Sequence, residues 1–176
     1  MGTVFENKLI NSYKNEIISF LKSHPEYFNE ALELAISEKQ PYSWRSAFVL
    51  WDCVEENDYR IRKHIKSIVK SIRTKKDGHK RELLKILYKM DLEEKYEGII
   101  FDECVRLWEQ ISKEPSVRMI ALRFIIKIAK KHPELLEEVT ILVQGQYLES
   151  LSPAVKKSIG KMMREVTQKK RGNKIL

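Results

Sequence analysis

The stretch PSVRMIALRFIIKIAKKHPE, residues 115–134, decides the fold of this chain. It opens on a proline, which the first turn of a helix tolerates because the amides there have no intrahelical partner. Apolar residues then recur three and four positions apart, which is the period of an amphipathic helix. His132-Pro133-Glu134 closes the stretch, since a proline ends or kinks a helix. The stretch therefore predicts a helix over 116–131 and the start of another at Glu134.

The same apolar pattern occurs four times along the chain. Segments aligned at Trp44, Lys80, Arg118 and Lys156 are spaced by 36, 38 and 38 residues. Apolar residues lie three, seven and ten positions beyond each anchor: Ala47, Leu83, Ala121 and Ile159; Trp51, Leu87, Ile125 and Met163; Val54, Met90, Ile128 and Val166. A period of this length is typical of stacked supersecondary repeats. We therefore predict that one set of equivalent residues is buried, namely Ala47, Trp51, Leu87, Ala121, Ile125 and Met163.

The boundaries between the helices repeat as well. His24-Pro25-Glu26 lies 108 residues before the matching turn at 132–134, which is three periods of 36. The N-terminal region is therefore a further copy. We predict nine helices and no sheet, with the helices near 4–22, 26–38, 42–56, 58–74, 79–90, 93–112, 116–131, 134–149 and 153–169.

A hairpin of two such helices cannot cover its own apolar stripe, so hairpins stack on one another into a solenoid. The helix-opening prolines Pro41, Pro115 and Pro153, with the run from Val117 to Leu122, resemble the first helices of HEAT repeats. The resemblance implies an all-α fold. The implied architecture is a right-handed α-α superhelix of about four antiparallel helical hairpins, followed by a C-terminal capping helix.

The same resemblance implies one HEAT-like domain over residues 1–170, followed by a basic, flexible tail at 171–176. HEAT units often carry an aspartate in the turn and an arginine in the second helix. Asp58 and Arg62 match that pair.

Composition indicates a cytoplasmic globular protein. The chain is 43% apolar and 33% charged, which supports a packed core. Cys53 and Cys104 are far apart and lie in apolar helical patterns, so we expect two core thiols in a reducing compartment. No stretch is long and apolar enough for a membrane span, and we expect no membrane association. The four histidines show no metal-ligand spacing, so we expect neither a metal nor another cofactor.

The net charge of +8 is concentrated in two blocks. Residues 58–81 contain ten Lys and Arg against two Asp, and residues 152–176 contain eight against one Glu. In the first block, isoleucines occupy one side of the predicted helix, and Lys63, Lys66, Lys70 and Arg73 occupy the other. These four cations either bind a partner or form a solvated face offset by acids such as Glu33, Glu94 and Glu97. The second block either caps the fold or forms a phosphate-binding arm.

Tyr42, Trp44 and Arg45 open the third predicted helix. An exposed aromatic residue beside an arginine is typical of recognition sites. Alternatively, Trp44 is a half-buried lid at the end of the apolar stripe, with Tyr42 and Arg45 directed away from it.

These patterns favour a non-enzymatic scaffold that binds another macromolecule through an extended helical surface, with a protein favoured as the partner. The alternative is a nucleic-acid-binding protein, similar in architecture and charge to the HEAT-like DNA alkylation repair glycosylases. Asp52 is the residue we would match to their catalytic aspartate. The predicted second helices alternate in charge, acidic at 26–33, basic at 63–73 and acidic at 93–103. A nucleic-acid groove would keep one sign, so the alternation favours the scaffold.

Overall fold

The computed structural model describes the backbone of residues 2–172 and the side chains of residues 2–167. This range contains helices and turns but no strand. Its α-helices are α1 (Val4–Asn11), α2 (Lys14–Ser23), α3 (Phe28–Ile36), α4 (Tyr42–Leu50), α5 (Tyr59–Arg62), α6 (Ile65–Ile72), α7 (Asp77–Tyr88), α8 (Glu94–Glu109), α9 (Pro115–Lys131), α10 (Leu136–Leu142) and α11 (Pro153–Gly172). Short 3₁₀ turns occupy Pro25–Tyr27, Pro133–Leu135 and Gly145–Tyr147.

The prediction of nine helices is wrong, because two of the predicted helices are interrupted. The predicted helix over 4–22 divides into α1 and α2 at Ser12 and Tyr13. The Glu16 carboxylate accepts a hydrogen bond of 2.8 Å from the Tyr13 amide, which satisfies a free donor at the start of α2. The predicted helix over 58–74 divides into α5 and α6 where the His64 amide donates to the Ile61 carbonyl at 2.8 Å.

The helix starts and turns follow the sequence more closely. Pro41 caps α4, Pro115 opens α9 and Pro153 opens α11, as predicted. The two His-Pro-Glu turns have the same geometry. His24 has φ −129° and ψ 73°, and His132 has φ −120° and ψ 81°. Each turn passes from one helix through a 3₁₀ turn into the next helix.

The repeat register is confirmed at two of its three positions. The residues three and ten positions beyond the anchors are all buried: Ala47, Leu83, Ala121 and Ile159; Val54, Met90, Ile128 and Val166. Seven positions beyond, Leu87 and Ile125 are fully buried, but Trp51 and Met163 are only half-buried, so their predicted burial is wrong. Trp51 lies just past α4, where the Lys85 and Lys89 ammoniums lie 5.2 and 4.1 Å from its ring. Met163 belongs to the last described helix, α11.

The chain forms two compact units, Met1–Tyr96 (unit 1) and Glu97–Leu176 (unit 2). In unit 1, α4 is the central helix and packs against α1, α2, α3 and α7, while α6 packs against α3 and α7. Ala31, Leu32, Ala47 and Leu50 are fully buried between these helices. The Ser46 hydroxyl donates to the Ala31 carbonyl, so this buried polar side chain is satisfied.

Unit 2 is built around α9, which packs against α10 and α11. Arg118 of α9 is completely buried, with its guanidinium carbon 4.5 Å from the centre of the Trp108 ring. Its Nε donates to the Trp108 carbonyl at 3.0 Å, and its other nitrogens donate to the Ser150 hydroxyl and the Tyr147 carbonyl. Burial lowers the pKa of Arg118. The hydrogen bonds satisfy a guanidinium that would otherwise be costly to bury.

Asp58 pairs with Arg60 rather than with Arg62, whose side chain is exposed. The two side chains approach to 2.6 Å, and the Arg60 guanidinium lies 3.7 Å from the centre of the Phe28 ring. Burial raises the pKa of the Asp58 carboxyl, but hydrogen bonds from Arg60 and the Glu55 amide outweigh it and lower that pKa. Of the predicted tail at 171–176, residues 171 and 172 fall within α11, and residues 173–176 lie outside the described part of the chain.

Candidate functional site

Helix α6 separates apolar and basic residues on opposite faces. Ile65, Ile68, Val69 and Ile72 are buried. The predicted cations are exposed and are called here the basic strip: Lys63, Lys66, Lys70 and Arg73. Lys66 and Lys70 lie four residues apart on one side of α6, and Arg73 follows the last residue of this helix. Lys63 caps the C-terminal end of α5 instead, because the break at His64 divides the single helix on which the sequence placed all four cations. Burial of the isoleucine face against α3 and α7 therefore directs the basic strip outward.

The strip cations differ from several other cations of unit 1, which form ion pairs: Lys14 with Asp52, Lys39 with Glu6, Arg60 with Asp58, Lys75 with Glu38, and Arg81 and Lys85 with Glu82. Within residues 2–96, the described part of unit 1, no carboxylate lies within ion-pair distance of a strip residue. Of the acids considered in the sequence, Glu33 accepts from Asn29, Glu94 forms no ion pair with the strip, and Glu97 accepts from Lys131 and His132 in unit 2. The described residues of unit 1 therefore do not offset the strip by ion pairs.

His64 lies at the edge of the strip and faces α3. Its Nε2 lies 3.1 Å from the Asn29 side-chain oxygen. Burial lowers the pKa of His64, Lys63 lowers it further, and Glu33 opposes both effects. Glu33 is exposed on α3, so a carboxylate lies near His64 at the edge of the strip.

Of the other three predicted site residues, the structure separates Tyr42 from Trp44 and Arg45. Trp44 is half-buried and stacks on Phe48, with ring centres 5.4 Å apart and planes inclined by 11°. Arg45 Nη2 donates to the Ser12 carbonyl at 3.2 Å, where a cation is favourable because α1 ends there. Tyr42 instead lies beside Lys39, whose ammonium is 5.1 Å from the ring centre.

Trp44 and Arg45 share a cleft in unit 1 that the sequence did not reveal. The cleft has a volume of about 530 Å³ and lies between α4 and the break that separates α1 from α2. Tyr42 and the strip residues do not line it. The signal for the break was present in the sequence, because Glu16 follows Tyr13 at the spacing of a helix N-terminal cap. The apolar pattern nevertheless continues over 4–22 and predicts one uninterrupted helix there.

Asp52 lies next to this cleft and is engaged in an ion pair. Its carboxylate lies 2.8 Å from the Lys14 ammonium, which is itself 4.4 Å from the centre of the Phe48 ring. Cys53 beside it is half-buried, and burial raises the pKa of its thiol. Burial raises the pKa of the Cys104 thiol still further above its ordinary value. Neither thiol is activated as a thiolate.

The described residues contain neither a metal-binding cluster nor a membrane-spanning helix. No three His, Cys, Asp or Glu side chains among them come together in a way that would hold a metal ion. None of the described helices has both the length and the apolar character that crossing a bilayer requires.

The helices, the recurring buried positions and the repeated turns define a helical-repeat protein. A family model described as a HEAT repeat domain matches residues 4–166. The match covers most of the 176 residues, so the chain belongs to the HEAT repeat family, and the predicted all-α helical-repeat fold is confirmed. Neither the curated proteins nor the solved structures include a match to this chain.

Proposed function

We propose that the chain is a non-enzymatic scaffold that binds an acidic surface of a partner protein through the basic strip. One observation carries the proposal: the four strip cations have no carboxylate partner within residues 2–96 of unit 1, whereas Lys14, Lys39, Arg60 and Lys75 of the same unit do. Like charges three and four residues apart on a helix repel by a few tenths of a kcal/mol per pair, about 0.2–0.5. Carboxylates of a partner would remove that repulsion.

The family supports a role in macromolecular binding. Helical repeats expose extended surfaces, and each repeat contacts only its neighbours in the stack. A strip on one exposed helix face is accessible without rearrangement of the core, because the isoleucines behind it are already buried.

Charge on the neighbouring helix favours protein over nucleic acid. Glu33 of α3 is exposed and lies close enough to His64 to oppose the lowering of its pKa. A phosphate backbone binds through uninterrupted positive charge, and Glu33 would repel it. A protein surface can place a cation opposite Glu33 and carboxylates opposite Lys66 and Lys70. We assign no catalytic role to Asp52, because its carboxylate is paired with Lys14.

A charge-reversal experiment tests the proposal. Fluorescently labelled polyglutamate serves as the probe of acidic protein surface, and its anisotropy is followed at low salt. The double variant Lys66→Glu and Lys70→Glu is expected to weaken binding by at least about tenfold, because like charges then face each other across the interface. Circular dichroism is expected to show an unchanged helical content, since both side chains are exposed.

The matched control is the double variant Arg123→Glu and Lys130→Glu. Both residues are exposed on α9 in unit 2, and the net charge changes by the same amount. Its binding is expected to stay within about twofold of the parent, because neither residue belongs to the strip. Equal losses in the two variants would show that only net charge matters and would overturn the strip as a site. An unaffected strip variant would overturn it as well.

A further inference from the structure

The cleft between α4 and the break at Ser12 and Tyr13 is built differently from the basic strip. Its walls combine the stacked rings of Trp44 and Phe48 with the side chain of Ile17. A volume of about 530 Å³ is within the range of ligand-binding clefts, and it accommodates one large side chain with its backbone.

The cleft contains more positive charge than negative charge. Lys14 is paired with Asp52, but Arg45 has no carboxylate partner among the described side chains. Its Nη2 donates to the Ser12 carbonyl, and its Nε is buried without a hydrogen-bond partner within the same range. A guanidinium presents a planar set of donors that matches a carboxylate. Because the buried Nε cannot reach a ligand, the donors that remain on Nη1 and Nη2 of Arg45 favour an anionic ligand with two oxygen acceptors.

The rim of the cleft is apolar and exposed. Ile10 retains 44% of its accessible surface and Tyr13 retains 83%. Both residues line the cleft, so its apolar surface continues beyond the pocket itself. An extended chain that passes over the rim would cover these two side chains, whereas a small molecule confined to the pocket would not.

We infer that this cleft binds an extended segment of a partner protein in which an aromatic side chain stands next to an aspartate or glutamate. The aromatic ring packs against Trp44 and Phe48, and the carboxylate accepts from Arg45. Ile10 and Tyr13 cover the flanking backbone of the segment. This site is separate from the basic strip, since none of the strip residues lines the cleft.

A short peptide tests the inference with the full chain. The probe is an N-acetylated, C-amidated peptide in which one phenylalanine stands between two aspartates in a Gly-Ser background. Binding is measured by calorimetry or by NMR shifts. Replacing both aspartates by asparagine, or the phenylalanine by alanine, is expected to weaken binding by about tenfold or more, because the carboxylate and the ring each occupy a part of the cleft.

Variants of the protein locate the binding. Ile10→Glu places a negative charge at the rim, which repels the carboxylates of the aspartate peptide, and is expected to weaken binding of that peptide by about tenfold. Ile141→Glu is the matched control, because Ile141 is 57% exposed and lies in unit 2; binding is expected to be unchanged. The double variant Lys66→Glu and Lys70→Glu is also expected to bind the peptide as the parent does.

Three outcomes would overturn the inference. The first is that the parent protein shows no binding at millimolar peptide. The second is that the parent protein binds the asparagine peptide as tightly as the aspartate peptide, or that the Ile10→Glu variant binds the aspartate peptide as tightly as the parent does. The third is that a single-stranded oligonucleotide displaces the peptide and is itself weakened by Ile10→Glu, which would assign the cleft to nucleotide stacking. Arg45→Lys keeps the charge but loses the planar donors, and a weaker peptide interaction in this variant supports the assigned contact.

Discussion

At the scale of single residues, the structure buries polar side chains that the sequence patterns did not predict to be buried. Arg118 occupies the anchor position of its repeat, where the last repeat has the exposed Lys156. A charged residue at this place predicts a solvent-facing side chain. Its burial depends on the Trp108 and Tyr147 carbonyls, which come from other parts of unit 2. No local pattern around Arg118 contains that information.

Replacing Arg118 by methionine is expected to destabilise the protein by on the order of 3 kcal/mol, because buried carbonyls then lose their donor. Denaturant unfolding followed by circular dichroism measures the change. Arg123→Met is the control, since Arg123 is exposed on the same helix and its replacement is expected to cost no more than about 0.5 kcal/mol. Equal stabilities of the two variants would contradict the structural role of Arg118.

His79 makes stability depend on pH. Its side chain is buried, and its Nε2 donates to the Ala35 carbonyl at 2.7 Å. Burial lowers the pKa of His79 and Lys75 lowers it further, while the Ala35 hydrogen bond, Glu38 and Glu82 oppose the shift. The unfolded chain therefore binds a proton more readily than the folded one. The free energy of unfolding is expected to be greatest above the ordinary histidine pKa and to fall as the pH drops through the lowered one.

The variant His79→Gln keeps an amide donor for the Ala35 carbonyl but cannot titrate in this range. Unfolding of the variant is expected to depend less on pH between about pH 7.5 and pH 5 than unfolding of the parent, because one proton-linked step is removed. His64, whose pKa is also lowered, leaves a residual dependence in the same direction. The same pH dependence in parent and variant would show that His79 contributes nothing to it.

At the scale of helices, periodicity predicted which residues are buried but not where each helix breaks. The buried positions three and ten residues beyond the anchors follow from helical spacing, which a sequence displays directly. The breaks at Tyr13 and His64 depend on single hydrogen bonds, from the Tyr13 amide to Glu16 and from the His64 amide to the Ile61 carbonyl. Each of these hydrogen bonds lies where one helix ends and the next begins, although the apolar pattern continues through the break. The apolar pattern by itself therefore does not show where a helix is interrupted.

Ile125 tests the register of the repeat. It is fully buried at the middle of α9, so Ile125→Ala is expected to cost about 2–5 kcal/mol through lost burial and the cavity that remains. The comparison is Ile141→Ala, a change of the same size at an exposed position, with an expected cost below about 1 kcal/mol. If chemical denaturation gives similar losses for both, the register is misassigned at α9.

At the scale of the whole molecule, the sequence predicted the basic strip better than the cleft. Lys66 and Lys70 lie on the outer face of α6, with Lys63 and Arg73 beside its two ends, and their exposure follows from burial of the isoleucines opposite them. The cleft exists only because the chain breaks at Ser12 and Tyr13 and brings Ile10 and Lys14 beside Trp44 and Arg45. That proximity is a tertiary contact and has no signature in the spacing of residues. The sequence therefore indicated Tyr42, Trp44 and Arg45 as candidates for recognition, but not the cavity that Trp44 and Arg45 line.

The central claim is that the basic strip selects an acidic protein surface rather than nucleic acid. The most direct measurement compares binding of labelled polyglutamate and of labelled duplex DNA to the parent protein between 50 and 200 mM salt. We predict that polyglutamate binds at the low-salt end and that duplex DNA binds more weakly at every salt concentration, because Glu33 lies near His64 at the edge of the strip and repels phosphate. Tight DNA binding that falls by roughly 10³–10⁵-fold across this range, as for a protein with ~6–10 phosphate contacts, and that is lost in Lys66→Glu with Lys70→Glu, would contradict it.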